Sequence, residues 1–195
     1  MATIGVIVKP FNPQMLMVKR PPPYKILAVL EDGGNNIPLV SWLGIFDFLS
    51  IAESFDYGVD GIKSFKIVIS PSLDVSESAA VYTEKLYGDL SAYRHEWIYL
   101  WLYFPDLTYI LPAGTAVRLI LGSGWSDYLA WNFTLSQLAV GWNLLKGDFD
   151  NPSSTVGSAD FSALSKAAVY IYEVSGNAHD IVLYLGKLAF VKPSN

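Results

Sequence analysis

The side chains that could do chemistry in this sequence are few and dispersed. The two histidines stand in His95-Glu96 and His179-Asp180, neither in an H-x-x-x-H spacing, and there is no cysteine to complete a metal site. The first reads as a solvated approach to a strand and the second as a turn. Ser123 lies in Gly122-Ser123-Gly124, which is not the G-x-S-x-G elbow that presents a nucleophile between a strand and a helix. Glu53, Asp56, Asp60, Asp148 and Asp150 all fall in predicted loops, where acidic residues are ordinary turn formers. A glycosidase pair would have to face across a gap of about 5–9 Å, and no spacing here signals one. Asp148-Phe149-Asp150-Asn151 offers oxygen atoms to calcium but lacks the register and terminal Glu of an EF-hand loop, so it reads as a polar loop. The glycine-containing segments lack the strand-before-helix setting of a phosphate cradle. Asn132-Phe133-Thr134 matches a glycosylation sequon inside a predicted strand, and no role is assigned to it.

Aromatic rings are the remaining signal. The chain carries 6 Trp and 12 Tyr, many for its length. Flat rings are the stacking platforms of sugar sites, yet sandwich cores and subunit contacts favour them too. Trp101, Trp131 and Trp142 lie in predicted strands and are assigned to the core. Trp125 and Tyr128 lie at the loop Gly122-Ser123-Gly124-Trp125-Ser126-Asp127 and are the candidate ligand-binding residues.

The elements that must position them are strands. Apolar runs rich in Val, Ile, Tyr, Trp, Phe and Thr alternate with clusters of Gly, Pro, Asn, Asp and Ser, the punctuation of a β protein. Strands are predicted over 25–30, 39–45, 62–69, 80–87, 97–104, 116–121, 128–135, 141–145, 167–174 and 180–191. Residues 76–90 have some helical character but fit a strand. Trp97 to Phe104 is apolar on both parities, so both faces of that strand should be covered. Residues 31–36, Glu-Asp-Gly-Gly-Asn-Asn, form a turn. Pro21-Pro22-Pro23 stiffens an extended N-terminal arm. That arm is either an edge strand and linker of its own domain or a segment that crosses onto a neighbouring subunit.

The 195 residues suit one domain, read as an arm with the first strand over 1–36 and a β-sandwich over 37–195. Thirteen basic residues against 18 acidic ones give a net charge of −5, with no basic run, which argues against nucleic acid as a partner. Apolar runs of eight residues, such as Trp97–Phe104, fall far short of the ~20 needed for a membrane-spanning helix. Only 16% of residues are charged, which suggests an apolar surface hidden by companions. No convincing signal peptide opens the sequence, because Lys9-Pro10 interrupts Ile4–Val8.

Several pieces come in a familiar order. Phe46-Asp47-Phe48 looks like an opening strand, followed by Gly58 through Ile69. Asp89-Leu90-Ser91-Ala92-Tyr93 precedes Tyr99-Leu100-Trp101-Leu102-Tyr103, and Arg118-Leu119-Ile120-Leu121-Gly122 leads into Tyr128–Phe133. Gly141-Trp142-Asn143-Leu144 and Asp160-Phe161-Ser162-Ala163-Leu164 come next, before a closing strand at Ile181–Val191. Residues 41–191 thereby resemble the galactose-binding-domain-like jelly rolls, a group found as carbohydrate-binding modules and in phage and viral structural proteins. The resemblance implies an all-β jelly-roll β-sandwich of two antiparallel sheets, with the extended N-terminal arm outside it. Many relatives bind a structural calcium through an acidic pair in the last strand. Here that stretch reads Tyr184-Leu185-Gly186-Lys187-Leu188, without a carboxylate. The resemblance leaves Asp47 and Asp60 as calcium candidates and implies no other cofactor.

Two functions follow as expectations. The first is a non-catalytic structural or assembly protein, a virion component such as a capsid decoration, tail or fibre subunit. It would act as a homo-oligomer with other assembly proteins, in the virion or outside the cell after release. The alternative is a carbohydrate-binding module that meets glycans through exposed aromatic residues.

Overall fold

The computed structural model describes residues 24–34, 42–45, 48–58, 63–70, 78–83 and 87–193. Its strands are β1 (Tyr24–Glu31), β2 (Trp42–Ile45), β3 (Phe48–Ser54), β4 (Ser64–Ile69), β5 (Ser78–Thr83) and β6 (Trp97–Phe104). They continue with β7 (Val117–Gly122), β8 (Tyr128–Phe133), β9 (Gly141–Asp148), β10 (Ser154–Val156), β11 (Lys166–Tyr172) and β12 (Ile181–Pro193). Every pairing between them is antiparallel. The first sheet runs β3-β4-β12-β6-β9 with β1 also on β12, and the second runs β10-β8-β7-β11-β5-β2. The arrangement is the expected β-sandwich. Strand β3 runs over Phe48–Ser54, where only Phe48 was anticipated as the end of an opening strand, and Ser154–Val156 forms a strand that was not anticipated. Neither has the long apolar stretch by which the others announce themselves.

The 13-residue strand β12 organises the first sheet. On one edge it meets β6 from Tyr184 to Val191. Its other edge takes β4 over Ile181–Leu185 and then β1 over Leu188–Pro193. The register against β6 slips between Leu185 and Lys187. This bulge shifts the side-chain parity by one, so that Leu183 and Leu185 before it and Leu188 and Phe190 after it all enter the core. Lys187, Ala189 and Val191 consequently face outward. β1 therefore belongs to the sheet of its own chain. The rest of the expected arm, residues 1–23, lies outside the described residues.

The core between the sheets takes Ile98, Leu100, Leu102 and Phe104 from β6, and Val117, Leu119 and Leu121 from β7. Trp131 and Phe133 of β8 and Val169 and Ile171 of β11 complete it. Period-two alternation supplies these sets. Trp131 is core, as the sequence indicates: its indole N–H donates to the Asp148 carbonyl at 2.8 Å and its ring meets Phe149 edge-on at 4.9 Å. Gly147 makes room for it, since a Cβ there would lie 2.7 Å from Cδ2 of Trp131 and from Cγ2 of Ile98. The turn after β1 also demands glycine: Gly33 has φ 72° and a Cβ would come within 2.8 Å of the Ser64 Cα.

Trp101 and Trp142 are not in this core. Core-facing residues of β6 are Ile98, Leu100, Leu102 and Phe104, so the odd-numbered Trp97, Tyr99, Trp101 and Tyr103 face away from the second sheet. Trp142 lies opposite Tyr103 in the register and joins the same outer cluster.

Candidate functional site

Trp125 and Tyr128 both belong to the β7–β8 hairpin. Its loop closes by an N–H donated from Ser123 to the Asp127 carbonyl at 3.0 Å. Gly122 is required at its base, because a Cβ there would lie 2.6 Å from the Tyr128 Cβ. The Asp127 carboxylate accepts from the Ser126 hydroxyl at 2.9 Å and from the Ser158 N–H at 3.0 Å. These bonds hold its carboxyl below the usual range, the Ser158 N–H contributing most. They also tie the hairpin to the β10–β11 connection. The Trp125 side chain stands at 41% exposure, with the Lys166 ammonium 5.5 Å from its ring centroid.

Below the hairpin, cross-strand register arranges the outer face of the second sheet in rows. Lys166, Gly122 and Tyr128 make one row. Ala168, Ile120, Ala130 and Ser154 make the next, a floor of small apolar residues. Tyr170, Arg118 and Asn132 make the third. Arg118 leans across the floor: its Nη2 donates to the Ser154 Oγ at 3.0 Å, and its guanidinium lies 6.0 Å from the Tyr128 ring centroid. The Tyr170 phenol titrates above its ordinary range, chiefly through burial, with Arg118 acting in the opposite sense. The two candidate residues thus share a surface with Arg118, Tyr170, Ser154 and Asn132, a mix of half-exposed rings and hydrogen-bonding groups over a shallow apolar floor.

The outer face of the first sheet is more aromatic but closed. Tyr99 and Trp101 are 2% and 4% exposed, although they point away from the core. Tyr24 packs edge-on against Tyr99 at 5.1 Å and tilts over Trp101 at 6.0 Å. Tyr57 stacks on Tyr103 at 3.9 Å. The Lys146 ammonium sits 2.8 Å above the Trp97 ring, and Lys187 lies 5.9 Å from Trp101. Burial lowers the pKa of Lys187, and the Asp32 charge partly restores it. Burial raises the phenol of Tyr184 to about 12, with Asp56 adding to the rise.

The other polar candidates stand apart. His95 Nδ1 is 2.9 Å from the Asp150 carboxylate, with both side chains well exposed. They border a shallow polar cavity of about 310 Å³ that Arg94, Thr155 and Ser158 also line. His179 stacks on Tyr109 at 4.8 Å, and Asn177 braces its turn. In the 148–151 loop the Asp148 carboxylate accepts from the Asp150 N–H and the Asn151 amide, each at 3.0 Å, while Phe149 enters the core. That loop is a turn closed on itself. Among the described residues no three His, Asp or Glu come together as a metal site. Asp47 and Asp60, the calcium candidates, lie outside the described residues. Among the described residues no helix is long and apolar enough to cross a membrane.

No family model matches the sequence, and no curated protein matches it. Solved structures do match the fold. A carbohydrate-binding module of the β-sandwich superfamily superposes with a TM-score of 0.60 at 9% identity, over 82% of this chain and 60% of that one. The chain has a jelly-roll β-sandwich fold. The family 30 carbohydrate-binding module of a cellulosomal cellulase from Clostridium thermocellum shares this jelly roll, with a TM-score of 0.51, 9% identity and coverage of 76% and 88%. An agarase contains a similar region, with a TM-score of 0.50 and 14% identity, over 86% of this chain but 24% of the agarase. The chain spans about three fifths of the length of the first of these structures, and at such identities the likeness speaks for fold.

The sequence singles out Trp125 and Tyr128 as candidates, and the structure places Arg118 and Tyr170, which the sequence did not single out, on the same surface. In Val117-Arg118-Leu119-Ile120-Leu121 a single cation interrupts an apolar strand. That was the available signal, since an arginine in such a run must sit on the outward parity.

Proposed function

We propose that this chain is a non-catalytic carbohydrate-binding module and that the outer face of its second sheet receives the glycan. One observation carries the reading: an exposed Trp125 on a hydrogen-bonded hairpin stands next to a surface where Tyr128, Tyr170, Arg118 and Ser154 surround a floor of Ile120, Ala130 and Ala168. Sugars present flat C–H faces and a rim of hydroxyls. Indole and phenol rings cover the first, and hydroxyl, amide and guanidinium groups bond the second. Shallow, half-polar surfaces suit extended polysaccharides better than a reacting centre, which needs converging groups in a cleft. The carbohydrate-binding modules that share the fold support this reading. They give the virion-subunit expectation no comparable support.

A glycan array followed by affinity electrophoresis tests it. Retention on at least one polysaccharide is expected. Trp125→Ala and Tyr128→Ala should each weaken it about tenfold, as loss of a ring contact of about 1.4 kcal/mol would do. Failure to bind across a broad array, or retention indifferent to both substitutions, removes the reading.

A further inference from the structure

We infer that the glycan carries an anionic group, the carboxylate of a uronic acid or a sulfate ester, and that Arg118 receives it. The inference rests on the glycan reading above and narrows it. The chain as a whole is acidic, with 18 acidic residues against 13 basic ones. The described outer face of the second sheet departs from that balance. Register places Arg118 of β7, Lys166 of β11 and Asn132 of β8 on it, and no Asp or Glu of β7, β8, β10 or β11 faces outward with them.

Arg118 is the centre of this departure. Among the described residues no carboxylate pairs with it. Its neighbours are neutral: the Ser154 hydroxyl at 3.0 Å and the Tyr128 ring at 6.0 Å. Its Nε is shielded from water and has no hydrogen-bond partner. A guanidinium has five N–H donors in a planar fork, and this one is left with far fewer acceptors than donors. A cation held among neutral groups and partly desolvated is destabilised relative to water. An anion arriving on the face relieves that cost, and a carboxylate or sulfate matches the fork with two parallel bonds. Ser154 and Tyr128 hold the fork in advance, over a floor of alanine and isoleucine side chains short enough for a sugar ring to lie against. A neutral glycan would use the rings and offer the guanidinium hydroxyl acceptors, but would leave its charge uncompensated.

The test compares polymers that differ only in charge. The unaltered protein is run through affinity gels holding polygalacturonate or its methyl ester, and κ-carrageenan or chemically desulfated κ-carrageenan. A mixed-linkage β-glucan gel serves as a neutral reference. Retention at least about tenfold stronger on a charged polymer than on its uncharged counterpart is expected, and the pair that shows it tells carboxylate from sulfate. The protein's net charge of −5 opposes non-specific attraction to a polyanion, so such a preference requires a local site. Arg118→Gln should abolish the preference, with folding checked by thermal melt. Arg118→Lys, which keeps the charge but not the fork, should weaken it. The ester and sulfate comparisons use unaltered protein and decide the matter even where a variant folds poorly. Equal retention on charged and uncharged partners, or a preference untouched by Arg118→Gln, overturns the inference while leaving a glycan-binding protein. Retention on none of the gels, together with a blank array, removes both.

Discussion

The sandwich turns two very different faces outward. On the first sheet, Trp97, Tyr99, Trp101, Tyr103 and Trp142 form a layer whose central rings are as buried as the core beneath them. On the second, Tyr128 and Tyr170 are partly exposed and Trp125 is exposed, with Arg118 and Ser154 between them. The first face has more rings and the second has more opportunity. Aromatic content therefore does not by itself locate a binding surface. Rings that cover one another stabilise the fold, whereas rings spaced by small residues and interleaved with hydrogen-bonding groups remain available to a ligand.

Several substitutions can break or sharpen that contrast. Trp101→Ala should have the largest effect, about 3–5 kcal/mol of lost stability by denaturant unfolding, the cost of removing a large ring from a packed site. A loss under about 1 kcal/mol would mean that the first face is not a packed layer. Gly147→Ala comes next, at about 1–3 kcal/mol, because its new methyl meets Trp131 and Ile98. This control on the inward side of β9 should leave glycan retention intact.

Alkaline unfolding separates the faces by another route. Tyr24, Tyr99, Tyr103 and Tyr184 on the first face all hold raised phenol pKa values, burial being the main cause, against Tyr170 on the second. A phenol whose folded pKa exceeds the unfolded value near 10 favours the fold below that pH. It loses this advantage as pH climbs through the folded value, about 12 for Tyr184. The urea midpoint should fall from pH 10 upward, and Tyr184→Phe should make that fall shallower. An unchanged slope would show that the first face is wetter than its packing indicates. The smallest stability change belongs to Trp125→Ala, within about 0.5 kcal/mol as for other exposed positions, although it should have the greater effect on glycan retention.

The strands were legible because their residues suit a pleated surface, and β6 was rightly read as covered on both faces from its apolar residues on both parities. Which face a residue takes was harder. Trp101 and Trp142 were assigned to the core; Trp101 is buried and Trp142 packs beside it, but in a cluster on the outer side of the first sheet, because a strand apolar on both sides does not declare which side meets the other sheet. The bulge beside Gly186 was equally hidden, since only pairing with β6 reveals the extra residue. Most of β3, beyond Phe48, and all of β10 escaped because Ser, Glu and Thr occupy positions where longer strands carry apolar residues. Of the site, the hairpin was readable from its Gly, Ser and Asp residues. Arg118 was not, because its importance comes from neighbours in β8 and β10 that are distant in sequence.

The Asp127–Ser158 tether gives the Trp125 hairpin a property that a freely moving loop would lack. Gly157, at φ 58°, brings its connection against Asp127 so closely that any side chain there would collide with the carboxylate. The backbone that carries the indole is thereby held by the tether in the folded chain. A sugar that docks there meets a surface whose conformational freedom has already been surrendered, so a weak stacking contact can be expressed almost fully as affinity.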